Sequence, residues 1–163
     1  MKEPWFISDT HLGHENIIQY CNRPFTCADE MDEYMVDQWN KCVGKYDRVY
    51  HMGDVAINRK KLSILERLNG KKVLLKGNHD IFPLEDYLPY FEDIRAYKIM
   101  PAHGIIFSHI PISEYQFSAR FKWNVHGHTH EFRLPDERYF NACVEWTRYK
   151  PIRLGEILEQ LQK

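Results

Sequence analysis

The chain has 163 residues, with 22 Lys plus Arg against 23 Asp plus Glu and a formal net charge of −1 at pH 7. That length makes one ordinary domain with its own core and leaves little for a separate substrate-binding cap. The charge balance excludes a global attraction to nucleic acid or to an anionic membrane, so any grip on phosphate must be local.

No run approaches the ~20 apolar residues of a membrane span, and Lys2-Glu3-Pro4 leads into a strand rather than a signal-peptide apolar region. The expectation is a soluble, cytoplasmic single domain over residues 1–163 without a cap. Cys21, Cys27, Cys42 and Cys143 show neither CxxC spacing nor the density of a disulfide scaffold. They read as reduced thiols, with Cys27 the accessible one.

In chain order, Trp5 to Ser8 reads as a strand that feeds a loop and a short helix near Glu15 to Tyr20. A longer helix is expected from Asp29 to Val43, because Met31, Met35, Trp39 and Cys42 share one face, with Gly44 as its stop. Asp47 to Gly53 is the second strand. Arg59 to Asn69 is the next helix, striped by Leu62, Leu65 and Leu68 and ended by Gly70. Val73-Leu74-Leu75 is a third, buried strand.

After Pro83 the pattern changes. Ile94 to Met100 and Gly104 to Ser108 are consecutive apolar runs joined by a hairpin turn at Pro101 to Gly104. Trp123 to Val125 and Tyr139 to Val144 are further strands, and Arg153 to Leu161 is a C-terminal helix. The change from βα units to successive strands argues for α/β with mixed sheets rather than a simple doubly wound fold.

Five of the strands end in polar clusters, at the side where open α/β sheets place ligands. They are Asp9-x-His11, Gly53-Asp54, Gly77-Asn78-His79-Asp80, Ser108-His109 and Gly127-His128-x-His130. In this order they resemble the five signature blocks of the calcineurin-like metallophosphoesterase superfamily, and they span most of the chain. The run Asp9-Thr10-His11-Leu12-Gly13-His14-Glu15-Asn16 is similar to the start of a small bacterial and phage subgroup.

The resemblance implies an α/β/β/α sandwich of two mixed β-sheets flanked by helices, and a dinuclear metal-dependent phosphoesterase. It places Asp9, His11 and His130 on a first metal, Asn78, His109 and His128 on a second, and Asp54 between the two. Mixed oxygen and imidazole donors suit manganese, iron, zinc or nickel better than calcium, and two manganese ions are the first expectation. The implied reaction is in-line attack on phosphorus by a hydroxide activated by two metals, with no covalent enzyme intermediate. His79, next to ligand Asn78, would contact the phosphate and protonate the leaving oxygen. Asp80 is either an orienting partner or a turn or helix cap.

His14 is a further substrate-side or metal-proximal candidate, whereas His51 and His126 read as sheet histidines and His103 as a turn residue. Arg23-Pro24-Phe25 and the Ser118 to Trp123 stretch combine cations with aromatics, which makes Arg23 and Arg120 candidate substrate contacts. An uncapped, open site favours a phosphodiesterase acting on nucleotide or nucleic-acid phosphate esters. The alternatives are a phosphomonoesterase with the same centre and a non-catalytic metal-binding scaffold.

Overall fold

The computed structural model describes residues 2–162; Met1 and Lys163, the two ends of the expected 1–163 domain, lie outside the described residues. Two mixed sheets flanked by helices form the fold. The first has five strands in the order β4-β3-β2-β1-β9, and the second has four in the order β5-β6-β7-β8. β1 (Trp5–Ile7), β2 (Arg48–His51), β3 (Lys71–Leu75) and β4 (Asp93–Arg95) run parallel, and β9 (Ile152–Arg153) closes the sheet antiparallel to β1. In the second sheet β5 (Tyr97–Met100) is antiparallel to β6 (Ile105–Ser108), while β6, β7 (Trp123–His126) and β8 (Tyr139–Asn141) are parallel.

The central strands read as unbroken apolar runs because both of their faces are buried. Side chains alternate across the first sheet. Trp5, Ile7, Val49 and Leu74 join the core under the helices, whereas Phe6, Tyr50, Val73 and Leu75 meet Ile105, Phe107 and Val125 between the sheets. Phe6 stacks on Phe107 there, with ring centroids 4.2 Å apart.

On the helix side, α1 (Glu15–Tyr20) and α2 (Ala28–Cys42) occupy the expected positions, and Met31, Met35 and Trp39 are buried as the i, i+4 pattern requires. Arg59–Arg67 is helical but of the 3-10 type. Its buried leucines recur every third residue, at 62, 65 and 68, which is the period of a 3-10 turn and not of an α-helix. α3 (Leu84–Tyr87) and α4 (Val144–Thr147) are single turns, and α5 (Leu154–Leu161) packs on β8 and β9. The outer face of the second sheet is covered by residues 110–117: Ile112 accepts from Tyr139 Oη, and the Phe117 and Tyr139 rings meet at 5.2 Å.

One expected element divides. The run Ile94 to Met100 is two strands, β4 and β5, and Ala96 carries the chain from the first sheet to the second. Apolar patterning marks both halves as strand but says nothing of their partners. The expected Tyr139 to Val144 strand likewise stops at Asn141, and Val144 opens α4.

Candidate metal centre

The carboxyl ends of β1, β2, β3, β6 and β7 converge on one rim, and each of the five polar blocks lies at one of them, Ser108 being the last residue of β6. Backbone bonds cross-link these loops. Asp9 N–H donates to Gly53 O, His11 N–H to Asp54 O, and Gly127 N–H to His109 O. The glycines allow the close approach: a Cβ at Gly77 would lie 2.2 Å from Asp54 Oδ1, and one at Gly127 would lie 2.0 Å from Ser8 Oγ.

Asp9, His11, Asp54, His128 and His130 all have positive φ, between 49° and 68°. For non-glycine residues this left-handed backbone is costly, and it clusters where surrounding structure holds ligands in place. Five of the seven expected ligands share it.

Their side chains form two groups joined by Asp54. His11 Nε2 lies 3.9 Å from Asp9 Oδ1 and 3.5 Å from Asp54 Oδ2, and His130 Nε2 lies 3.8 Å from Asp9 Oδ1. On the other side, Asp54 Oδ1 is 3.4 Å from His109 Nε2. Asn78 Oδ1 is 2.8 Å from His109 Nε2 and 2.9 Å from His128 Nδ1. One carboxylate thus turns one oxygen to each group.

The first group fits a bound cation. Asp9 Oδ1 and His11 Nε2 are buried and have no hydrogen-bond partner among the described residues. Two orphaned polar atoms facing each other in a protein interior are costly unless an ion joins them. The imidazoles are also set for it, because His109 Nδ1 is 2.8 Å from Met52 O and His130 Nδ1 is 3.2 Å from Glu145 Oε1. With those nitrogens donating, each Nε2 faces inward with its lone pair. Burial pushes the Asp54 carboxyl up, but His109 and His11 beside it hold it well below the usual carboxylate range.

Not every expected residue stands where the sequence suggests. Asp80 is fully buried and neither caps a helix nor orients His79. Its Oδ2 accepts from Asp54 N–H and Gly77 N–H, and its Oδ1 from Val55 N–H, so it ties the second polar block to the third. Arg23 is not a substrate contact, being only 4% exposed. Its guanidinium donates to Asp9 O, Thr10 O and Glu145 Oε1, all inside the protein. Arg120 lies on an exposed turn where its backbone N–H donates to Ser118 Oγ.

His79 is exposed, donates its backbone N–H to Asp54 Oδ1, and holds its ring 5.6 Å from that of His11. His14 packs against the first group, with its Nδ1 3.3 Å from His11 Nδ1. His51 and His126 are buried strand residues, and His103 ends a short 3-10 turn. Glu145 was missed by the sequence reading. It follows His130 by 15 residues in no recognisable motif, and only the fold brings it to that imidazole.

A family model for calcineurin-like phosphoesterases matches residues 4–149. The chain belongs to that family. An uncharacterised protein of Methanocaldococcus jannaschii is 33% identical over the whole of this chain and 93% of its own length. The gene 66 protein of Mycobacterium phage L5 is 30% identical over 68% of this chain, which spans 52% of the phage protein. A crystal structure of a protein of unknown function from Aquifex aeolicus superposes with a TM-score of 0.77 at 31% identity, over 96% of this chain and 98% of that one. No helix among the described residues is long and apolar enough to cross a membrane.

Proposed function

We propose that this phosphoesterase is a dinuclear metal-dependent phosphodiesterase acting on nucleotide-type phosphate esters. The observation that carries the reading is the division of Asp54, whose Oδ2 faces His11 and whose Oδ1 faces His109. Asp9, His11 and His130 would hold one ion, Asn78, His109 and His128 the other, with manganese as the first candidate. When bound, such a pair neutralises phosphoryl charge and lowers the pKa of water.

The chain's own residues complete the chemistry. The hydroxyls in and beside the polar blocks are all engaged: Thr10 Oγ1 donates to Val55 O, Thr129 Oγ1 to Phe132 O and Ser108 Oγ to Ile110 O, and Ser8 Oγ is buried 2.5 Å from Asp9 Oδ2. Water is therefore the attacking group, and inversion at phosphorus follows. His79, exposed beside Asn78, donates a proton to the departing oxygen. Asn78, His79 and His128 are all exposed, so the rim is open enough for an ester with two organic substituents.

The test is hydrolysis by metal-stripped protein re-supplied with manganese, nickel, zinc or magnesium, on a chromogenic phosphodiester and its matching monoester. Metal-restored cleavage that prefers the diester supports the proposal. Preference for the monoester reassigns the enzyme as a phosphatase. Stoichiometric metal without turnover of any ester in a broad panel leaves a binding scaffold.

A further inference from the structure

Beside the second metal group lies an open cleft of about 370 Å³. It forms at the joint between the sheets, where the chain leaves β4 through Ala96 and enters β5 at Tyr97. Asn78 and His109 are part of its wall, and Lys76, Tyr97, Ile110 and Ile112 form much of the rest. A second cleft of about 330 Å³, near residues 133–137 and the end of α5, shares no wall with the metal ligands.

We propose that the Tyr97 cleft is the subsite for a nucleobase carried by the phosphate ester. The inference rests on the phosphoesterase reading and names the substituent the site selects. Three observations point to an aromatic, uncharged group. First, Asn78 and His109 belong to both the metal group and the cleft, so an occupant adjoins the phosphoryl position. Second, Tyr97 is 55% exposed and Ile110 is 54% exposed. An aromatic face and an aliphatic side chain left uncovered in a concave site suit a flat apolar ring. Third, no carboxylate lines the cleft: Ile106 and Ser108 of β6 contribute to its wall, and the exposed Lys76 adds one cation. Stacking on Tyr97 tolerates any base, because every base has a π-face.

The test is calorimetric binding of thymidine 5′-monophosphate and of deoxyribose 5-phosphate to the manganese-loaded protein and to its Tyr97→Ala and Ile110→Asp variants. Both side chains are more than half exposed, so the core is untouched, and thermal unfolding verifies this. The expected result is that the base tightens binding roughly tenfold in the wild type. Either substitution should abolish that advantage, leaving deoxyribose 5-phosphate affinity unchanged. Equal affinity of the two ligands in the wild type, an advantage that survives both substitutions, or no binding of either ligand overturns the subsite. Hydrolysis of the chromogenic diester, run alongside, reads the phosphoesterase proposal separately. Turnover with no base advantage sinks only the subsite, and a base advantage without turnover sinks only the enzyme.

Discussion

Glu145 accepts from Arg23 Nη2 at 2.7 Å, and the same oxygen lies 3.2 Å from His130 Nδ1. Arg23 in turn donates to the backbone carbonyls of Asp9 and Thr10. The pair therefore braces the loop of Asp9 and His11 against the loop of His130. A surface ion pair contributes little, but this guanidinium is buried. Removing one partner leaves the other charged and uncompensated. Glu145→Gln is expected to destabilise the protein by ~3–5 kcal/mol in urea unfolding and to weaken metal binding by roughly 10–100-fold. The double variant Arg23→Met, Glu145→Leu should recover much of the stability but not the metal affinity. Unchanged metal titrations in Glu145→Gln would show that His130 needs no such brace.

The two groups on Asp54 and the exposed His79 make separate demands on turnover. Asp54→Asn keeps the shape but loses the anion that serves both groups, so metal should bind with reduced stoichiometry and turnover should collapse. His79→Ala touches no proposed ligand. It should retain both metals while kcat falls about 10²–10⁴-fold, and least for esters with the best leaving groups. Loss of metal in His79→Ala would mean that it is a ligand and not an acid.

Gly77→Ala probes the tight seam between the polar blocks. The added Cβ would sit 2.5 Å from Asp54 N and 2.2 Å from Asp54 Oδ1, atoms that cannot swing aside like a surface side chain. Asp54 must shift, and with it the contact between Asp80 and Gly77 N–H. Metal titration should show the second group weakened first, with chain stability reduced by ~1–3 kcal/mol. An alanine variant with both metal affinities intact would show that the loops relax freely.

His51 makes the metal-free protein acid-sensitive. Thr10 Oγ1 gives its single hydrogen to Val55 O, so it accepts from His51 Nε2–H at 2.9 Å. His51 Nδ1 is then bare, buried and without a partner among the described residues. Burial holds its pKa down at about 3, from 6.5. In that window the unfolded chain binds a proton that the folded chain refuses, so stability rises with pH. The contribution is complete above pH 6.5 and is lost progressively as pH falls toward about 3, at up to ~1.4 kcal/mol per pH unit. Urea midpoints measured between pH 7 and 4 should fall more steeply for the wild type than for His51→Gln. Parallel slopes would assign the acid sensitivity to other groups.

Much of the fold and of the polar rim was legible because the signals are local. An apolar run buried on both faces announces a parallel strand, and the polar residues that end it must lie at that strand's carboxyl end. The five blocks could thus be placed on one rim before any contact was known. The 3-10 helix is legible as a helix from the stripe of Leu62, Leu65 and Leu68, whose three-residue period matches the 3-10 turn.

Other readings failed where the deciding partner was distant in sequence. Arg23 looked like a surface cation beside an aromatic, but the fold buries it against Glu145, 122 positions away. Asp80 reads as a partner for its neighbour His79 or as a turn or helix cap; its Oδ2 does accept within its own loop from Gly77 N–H, but the same carboxylate also accepts from amides 25 and 26 residues earlier. Ile94 to Met100 looked like one strand, because hydrophobicity records burial and carries no mark of which sheet does the burying.

By itself the sequence determined which residue types end each strand, and so which chemistry the rim can support. It also determined where glycine permits two loops to touch. Only the tertiary structure decided how the donors divide into two groups around Asp54, that Glu145 orients His130, and that a cleft opens at Tyr97 beside Asn78. The physical reason is one of range. Strand burial and backbone freedom act within a few residues, whereas a cluster of donors, a buried ion pair and a cleft beside the joint of two sheets exist only when segments far apart in the chain are packed together.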